Sequence, residues 1–247
     1  MPTSNGVDAD AVVGQANFAG TTSGTSASAM AGIQAIAVDG THLAVGEWSN
    51  SRVSFWPLAN LSMASFFWGQ SDGNTSSVNT GGIGQSSLGA VAGLSYAAGK
   101  FYVGDVSNAR VLEFNGAVIS THQNAINVIG QTDYISSATG GGATGFGAPY
   151  SVSSDGTHLV VMDNNADRVM IYNSIPSYPG GTADVTWGGF GVDSTHLNNP
   201  VGVFVGDNKM FIADRSSDRV LVFNSIPTSS AQPADFVLGQ ANFTSSD

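Results

Sequence analysis

The chain predicts an all-β propeller of four blades, each of four antiparallel strands, with a redundant terminal strand. Three observations carry that expectation. A hairpin motif occurs four times, as "VGEWSNSRVSFW", "VGDVSNARVLEF", "VMDNNADRVMIY" and "IADRSSDRVLVF", with Arg52, Arg110, Arg168 and Arg219 spaced 58, 58 and 51 residues apart. A period of about 50–60 residues holding several short apolar runs marks a propeller or similar array. A second cadence runs in phase: "VVGQANF" at 12–18, "FFWGQSD" at 66–72, "NVIGQTD" at 127–133, a degraded "VTWGGFG" at 185–191 and "VLGQANF" at 237–243. Finally, only 10% of the 247 residues are charged while 32 are glycine, a turn-rich β composition.

Blade units fall at about 31–70, 91–131, 147–189 and 200–240, with the extra strand at about 9–18 and the whole chain as one domain. Their innermost strands are expected at Ile33–Val38, 93–97, 149–152 and 201–205. The fourth unit gives the pattern: "VGVFVG", a turn at "DNK", "MFIAD", a turn at "RSSD", "RVLVF", a loop, then "FVLGQ", a four-stranded meander. The strand after each Arg is apolar on both pleat faces, as in Val220 and Val222 against Leu221 and Phe223, which fits a sheet packed between two neighbouring sheets. The aromatic closing that strand, Trp56, Phe114, Tyr172 or Phe223, suits the widening gap between blades.

These hairpins, "GDVSNARVLEF" above all, resemble the NHL-repeat β-propellers of the extracellular microbial type, over essentially the whole chain. Glu47 stands where the repeat has Asp, and Ala166 and Ser217 interrupt its Asn-x-Arg spacing. The resemblance implies a propeller fold. Related propellers include lyases, lactonases and other hydrolases with metal ligands around the central channel, yet the corresponding strands here offer Gln34, Ser95, Tyr96, Tyr150 and Ser151 and no His, Asp or Glu. No catalytic residue, metal or cofactor is therefore expected.

The paired Glu47 and Arg52, Asp105 and Arg110, Asp163 and Arg168, and Asp214 and Arg219 stand at opposite ends of one turn, where a carboxylate can accept turn N–H groups and a guanidinium can brace it. Calcium is the rival reading at Asp163, Asn165 and Asp167. It fails on Arg168, which stands where the loop needs Gly, and on the missing twelfth-position Glu. His42, His158 and His196 share a "THL" context, but His196 falls earlier in its unit, and no convergent carboxylate can be named from spacing.

A formal charge of −11 with seven Lys and Arg argues against nucleic acid and acidic membrane surfaces. Neither a secretion leader nor a membrane span is read, and the absence of Cys excludes disulfides. Low charge with abundant Gly, Ser, Thr and Asn leans toward an extracellular or cell-surface protein, where Asn60, Asn74 and Asn242 would be glycan acceptors. Two functions survive: a non-enzymatic, self-assembling structural subunit, or a carbohydrate- or peptide-binding module with Trp48, Phe146, Tyr150 and Trp187 on a rim. An excerpt of a longer surface protein is a further alternative.

The two end copies favour assembly. Val12, Val13, Gly14, Gln15 and Phe18 duplicate Val237, Leu238, Gly239, Gln240 and Phe243, so two near-identical strands compete for one slot. The loser would seek the edge of another copy, giving a head-to-tail homo-oligomer, a filament unless the rotation closes it, with two chains forming one eight-bladed ring as a further option.

Overall fold

In the computed structural model, which describes residues 7–246, sixteen strands form four four-stranded antiparallel sheets in strict chain order. Blade 1 holds β1 (Ile33–Val38), β2 (His42–Glu47), β3 (Arg52–Pro57) and β4 (Phe66–Trp68). Blade 2 holds β5 (Val91–Ala97), β6 (Lys100–Asp105), β7 (Arg110–Asn115) and β8 (Asn127–Ile129). Blade 3 holds β9 (Pro149–Ser154), β10 (Leu159–Asp163), β11 (Arg168–Tyr172) and β12 (Val185–Gly188), and blade 4 holds β13 (Pro200–Gly206), β14 (Lys209–Asp214), β15 (Arg219–Phe223) and β16 (Phe236–Leu238). The only helical elements among the described residues are three short 3-10 turns between second and third strands.

Each turn is fixed by one residue in the left-handed region immediately before the motif Arg: Ser51, Ala109, Asp167 and Asp218, at φ 50°, 48°, 48° and 46°. Its N–H closes the turn onto the carbonyl three residues earlier, as Ala109 does onto Val106 at 3.1 Å. The outermost strands are short because the "GQ" motif stops them. Gly69, Gly130 and Gly239 follow their strands at φ of 87°, 87° and 92°, a conformation that ends an extended run and is cheap only for glycine.

The same device acts at the front of the chain and corrects the expected terminal strand. Residues 12–18 form bends and a turn, with Gly14 at φ 81°. Val13 instead packs on Met30, Trp56 and Phe67 against blade 1.

Three apolar clusters join consecutive blades. Phe55 and Trp68 meet Phe101 and Phe114 between blades 1 and 2, Tyr102 and Ile129 meet Phe146 and Tyr172 between blades 2 and 3, and Trp187 and Ile171 meet Ile212 and Phe223 between blades 3 and 4. Trp56, Phe114, Tyr172 and Phe223 are all fully buried. Among the described residues no apolar cluster joins blade 4 to blade 1, and β1 and β13 do not pack as the other successive inner strands do.

Candidate functional site

The acid–Arg pairs are clasps between a hairpin and the loops entering and leaving its blade. Asp105 and Arg110 are fully buried and 2.9 Å apart; the carboxylate also accepts from the Gly89 N–H and the Asn108 amide, each at 2.8 Å. Arg110 donates onward to the carbonyls of Ser87 and Tyr134, which belong to the entering and leaving loops. Enclosure pushes the Asp105 carboxyl up from its ordinary value, while the charge of Arg110 and the hydrogen bonds pull against it. Asp163 accepts from the N–H groups of Gly147 and Ala148 beside Arg168, and Asp214 from the N–H of Asn198 beside Arg219. Glu47, one methylene longer, reaches Arg52 at 2.9 Å and gathers the Asn50 amide, the Ser54 hydroxyl and the Ala31 N–H.

The recurrent glutamine, whose role the sequence reading missed, caps the same hairpin. Gln131 Nε2 donates to the carbonyl of Ala109 at 3.0 Å and, seven residues on, to that of Ala138 at 2.8 Å. Gln70 does the same to Ser51 and Ser77, and Gln240 reaches Ser217. Gln15 makes the downstream bond, to Thr22 at 2.8 Å. The hairpin that the other glutamines cap upstream has no counterpart before it among the described residues. The recurrence of "GQ" was the available signal.

The three "THL" histidines pair through Nδ1 with the carboxylate three residues earlier, His42 with Asp39 at 3.0 Å, His158 with Asp155 and His196 with Asp193 at 2.8 Å. His158 stands in a first-to-second-strand turn and His42 opens β2 directly after one, whereas His196 precedes β13. Slight burial opposes the ionised Asp193, but hydrogen bonds from His196 and Thr195 carry its pKa down to about 2. These are self-contained turns; no three His, Cys, Asp or Glu side chains converge among the described residues.

The inner strands line a cavity of about 700 Å³ that includes Gln34, Ser95, Tyr96, Tyr150 and Ser151. Its serines are partly spent on structure: Ser95 Oγ accepts from the Ser154 N–H at 3.1 Å, and the hydroxyls of Ser151 and Ser153 accept from Val203 and Val205. Trp48 and Tyr150 face each other with ring centroids 5.9 Å apart. Phe146 and Trp187, the other expected rim aromatics, are fully buried between blades, so they line no rim. The side chains of Asn60, Asn74 and Asn242 belong to exposed residues.

The most unusual feature is the free face of blade 4. Register across β13 to β16 aligns Phe204, Phe211, Val222 and Phe236 in one row and Gly202, Ala213, Val220 and Leu238 in the next. Phe204, Phe236 and Leu238 are each more than half exposed, and the others are partly exposed. Burial therefore alternates along β14 and β15, whereas β10 and β11 of blade 3 are buried at every position. The sequence pattern is that of a sandwiched sheet, but here one side of the sandwich is missing. On the far side of the gap, Ile33, Ile36 and Val38 of β1 are half or more exposed.

No helix of the described residues is long and apolar enough to cross a membrane. No family model matches the chain, and no curated protein matches it. Solved structures do. The glutaminyl cyclase of Myxococcus xanthus is similar at a TM-score of 0.52 and 10% identity, over 89% of this chain and 73% of that one. Kuenenia stuttgartiensis hydrazine synthase is similar at 0.52 and 12% identity, over 92% of this chain and 54% of that one. The WD40 β-propeller domain of Doa1 is similar at 0.52 and 8% identity, over 87% of this chain and 57% of that one. The chain thus spans little more than half of two of these three. At such identities the likeness is one of architecture, and with the sheet order above it establishes a β-propeller fold.

Proposed function

We propose that this chain is a non-enzymatic structural subunit that assembles with copies of itself, of the extracellular NHL-repeat kind. The observation that carries the reading is the uncovered apolar face of blade 4, opposite a second uncovered apolar strand in blade 1. Contiguous exposed apolar surface of this kind marks an interaction site. The four motif carboxylates are committed to arginines, and Asp39, Asp155 and Asp193 to histidines, which supports a binding role for the exposed apolar surface.

Multi-angle light scattering tests the reading. The expected result is a mass well above the 25.2 kDa of one chain. A single chain at every concentration would refute self-assembly. A second reading draws on Tyr150 at the central cavity, beside Gln34 and Ser151, with Trp48 packed against its ring, a combination that suits a sugar or a peptide side chain. Stabilisation by common sugars that is lost in Trp48→Ala would favour it.

A further inference from the structure

We propose that the assembly is a closed ring of two chains, eight blades in all, in which blade 4 of each copy packs against blade 1 of the other by repeating the blade-to-blade contact found inside the chain. The proposal deepens the self-assembly reading and rests on it.

Register fixes which residues correspond from blade to blade. The first residues of the inner strands, Ile33, Val91, Pro149 and Pro200, all stand opposite the motif carboxylate, at Glu47, Asp105, Asp163 and Asp214. That alignment makes Ala35, Gly93, Ser151 and Gly202 equivalent, and likewise Ile36, Leu94, Val152 and Val203. Ala37, Ser95, Ser153 and Phe204 form the next set, and Val38, Tyr96, Ser154 and Val205 the last.

Contacts between consecutive blades repeat in these terms. A Cβ on Gly93 would lie 2.9 Å from Val152, so the missing side chain of one blade receives the branched side chain of the next. The equivalent pair across the gap is Gly202 with Ile36. Ser95 meets Ser154, and Ser153 meets Val205, through hydroxyl to N–H bonds. The equivalent pair is Phe204 with Val38. Gly46 is 2.9 Å short of Val91 by the same measure, and its equivalent in blade 4 is Ala213, facing Ile33. Every half-exposed apolar residue of β1 therefore has a small or apolar acceptor on blade 4. Alanine occupies the inner positions of blade 1, at Ala35 and Ala37, so a seam without serine bonds already exists between blades 1 and 2.

Geometry then selects the ring. The inner strands of all four blades line one cavity, so each step from blade to blade is a rotation about a common channel. A head-to-tail contact that repeats this step adds the next copy around the same channel. It closes in the plane rather than climbing into a filament. Two chains of four blades give eight, within the usual range of about four to eight, whereas three chains would exceed it. Of the filament and the closed ring that the duplicated ends leave open, the repeated blade step favours the closed pair.

The chain has no Cys, which makes cross-linking clean. The full-length Val38→Cys/Phe204→Cys variant, oxidised, is expected to give one covalent species of two chains, and each single variant none. A ladder of larger species would overturn the ring while leaving self-assembly standing. A fast-migrating single chain would mean that the arc closes on itself and would overturn both. Absence of any cross-link, with the native mass at one chain, would likewise overturn both. Val222→Glu provides an independent check, because this partly exposed position can take a charge without unfolding the blade. It is expected to shift the native species from two chains to one with an unchanged circular dichroism spectrum. A folded Val222→Glu that still pairs as the parent does would exclude this face from the seam.

Discussion

At the scale of single residues, buried charge is concentrated in the four clasps, and their energetics are those of enclosed ion pairs. Removing one partner leaves the other charge buried without compensation, a loss of about 3–5 kcal/mol, against about 1 kcal/mol or less for an exposed pair. Arg110→Ala is therefore expected to lower unfolding free energy by about 3–5 kcal/mol, because Asp105 is fully buried and Arg110 also ties down the carbonyls of Ser87 and Tyr134. Chemical denaturation checks this. A change within the range of surface pairs would mean that water enters the clasp and replaces the guanidinium.

Secondary elements show what the sequence could and could not reveal. The innermost strand of blade 1 was legible to the residue at Ile33–Val38, because apolar runs bounded by Gly and Asp set its limits. The "GQ" motif was legible as a recurrence, and the residues leading into it are strand in four of its five copies, at Phe66–Trp68, Asn127–Ile129, Val185–Gly188 and Phe236–Leu238, but the dipeptide itself was misread as strand. Its glycine needs a left-handed backbone and its glutamine caps a hairpin about twenty residues upstream in sequence, facts that no local pattern displays. The rim role of Phe146 failed for a related reason: an aromatic in a Gly-rich loop reads as exposed until the next blade is placed over it. Gly130 tests the motif, since a Cβ there would come within 2.2 Å of the Phe146 ring, whereas Gly99, also left-handed at φ 77°, opens onto free space. Both alanine variants bear the backbone penalty of about 1–2 kcal/mol. Gly130→Ala is expected to lose clearly more than Gly99→Ala in thermal unfolding, and equal losses would show that the Phe146 ring moves aside freely.

For the whole molecule, blade identity was readable from repeated letters, but the open seam was not. Blade 4 carries the same doubly apolar third strand as blade 3, so its sequence presumes a neighbour that the sheet order within one chain does not supply. The duplicated ends describe that seam from its two sides. Gly14 rests on Met30 as Gly69 rests on Leu88 and Gly130 on Phe146, while Gly239 rests on the carbonyl of Asp218 as Gly69 does on that of Ser51. The front copy thus makes the contacts toward a following blade, and the back copy those toward its own hairpin. Arg219 reaches the carbonyl of Phe243, three residues beyond Gln240, and Phe18 stands at the same step beyond Gln15. Joined head to tail, the two copies present two glutamines to one hairpin. Gln15→Ala alone or Gln240→Ala alone should therefore weaken pairing little, because the other glutamine fills the cap. The double variant should weaken it by more than the two single effects combined. Sedimentation equilibrium of the four proteins measures that coupling, and strictly additive effects would mean that the two segments never share the slot.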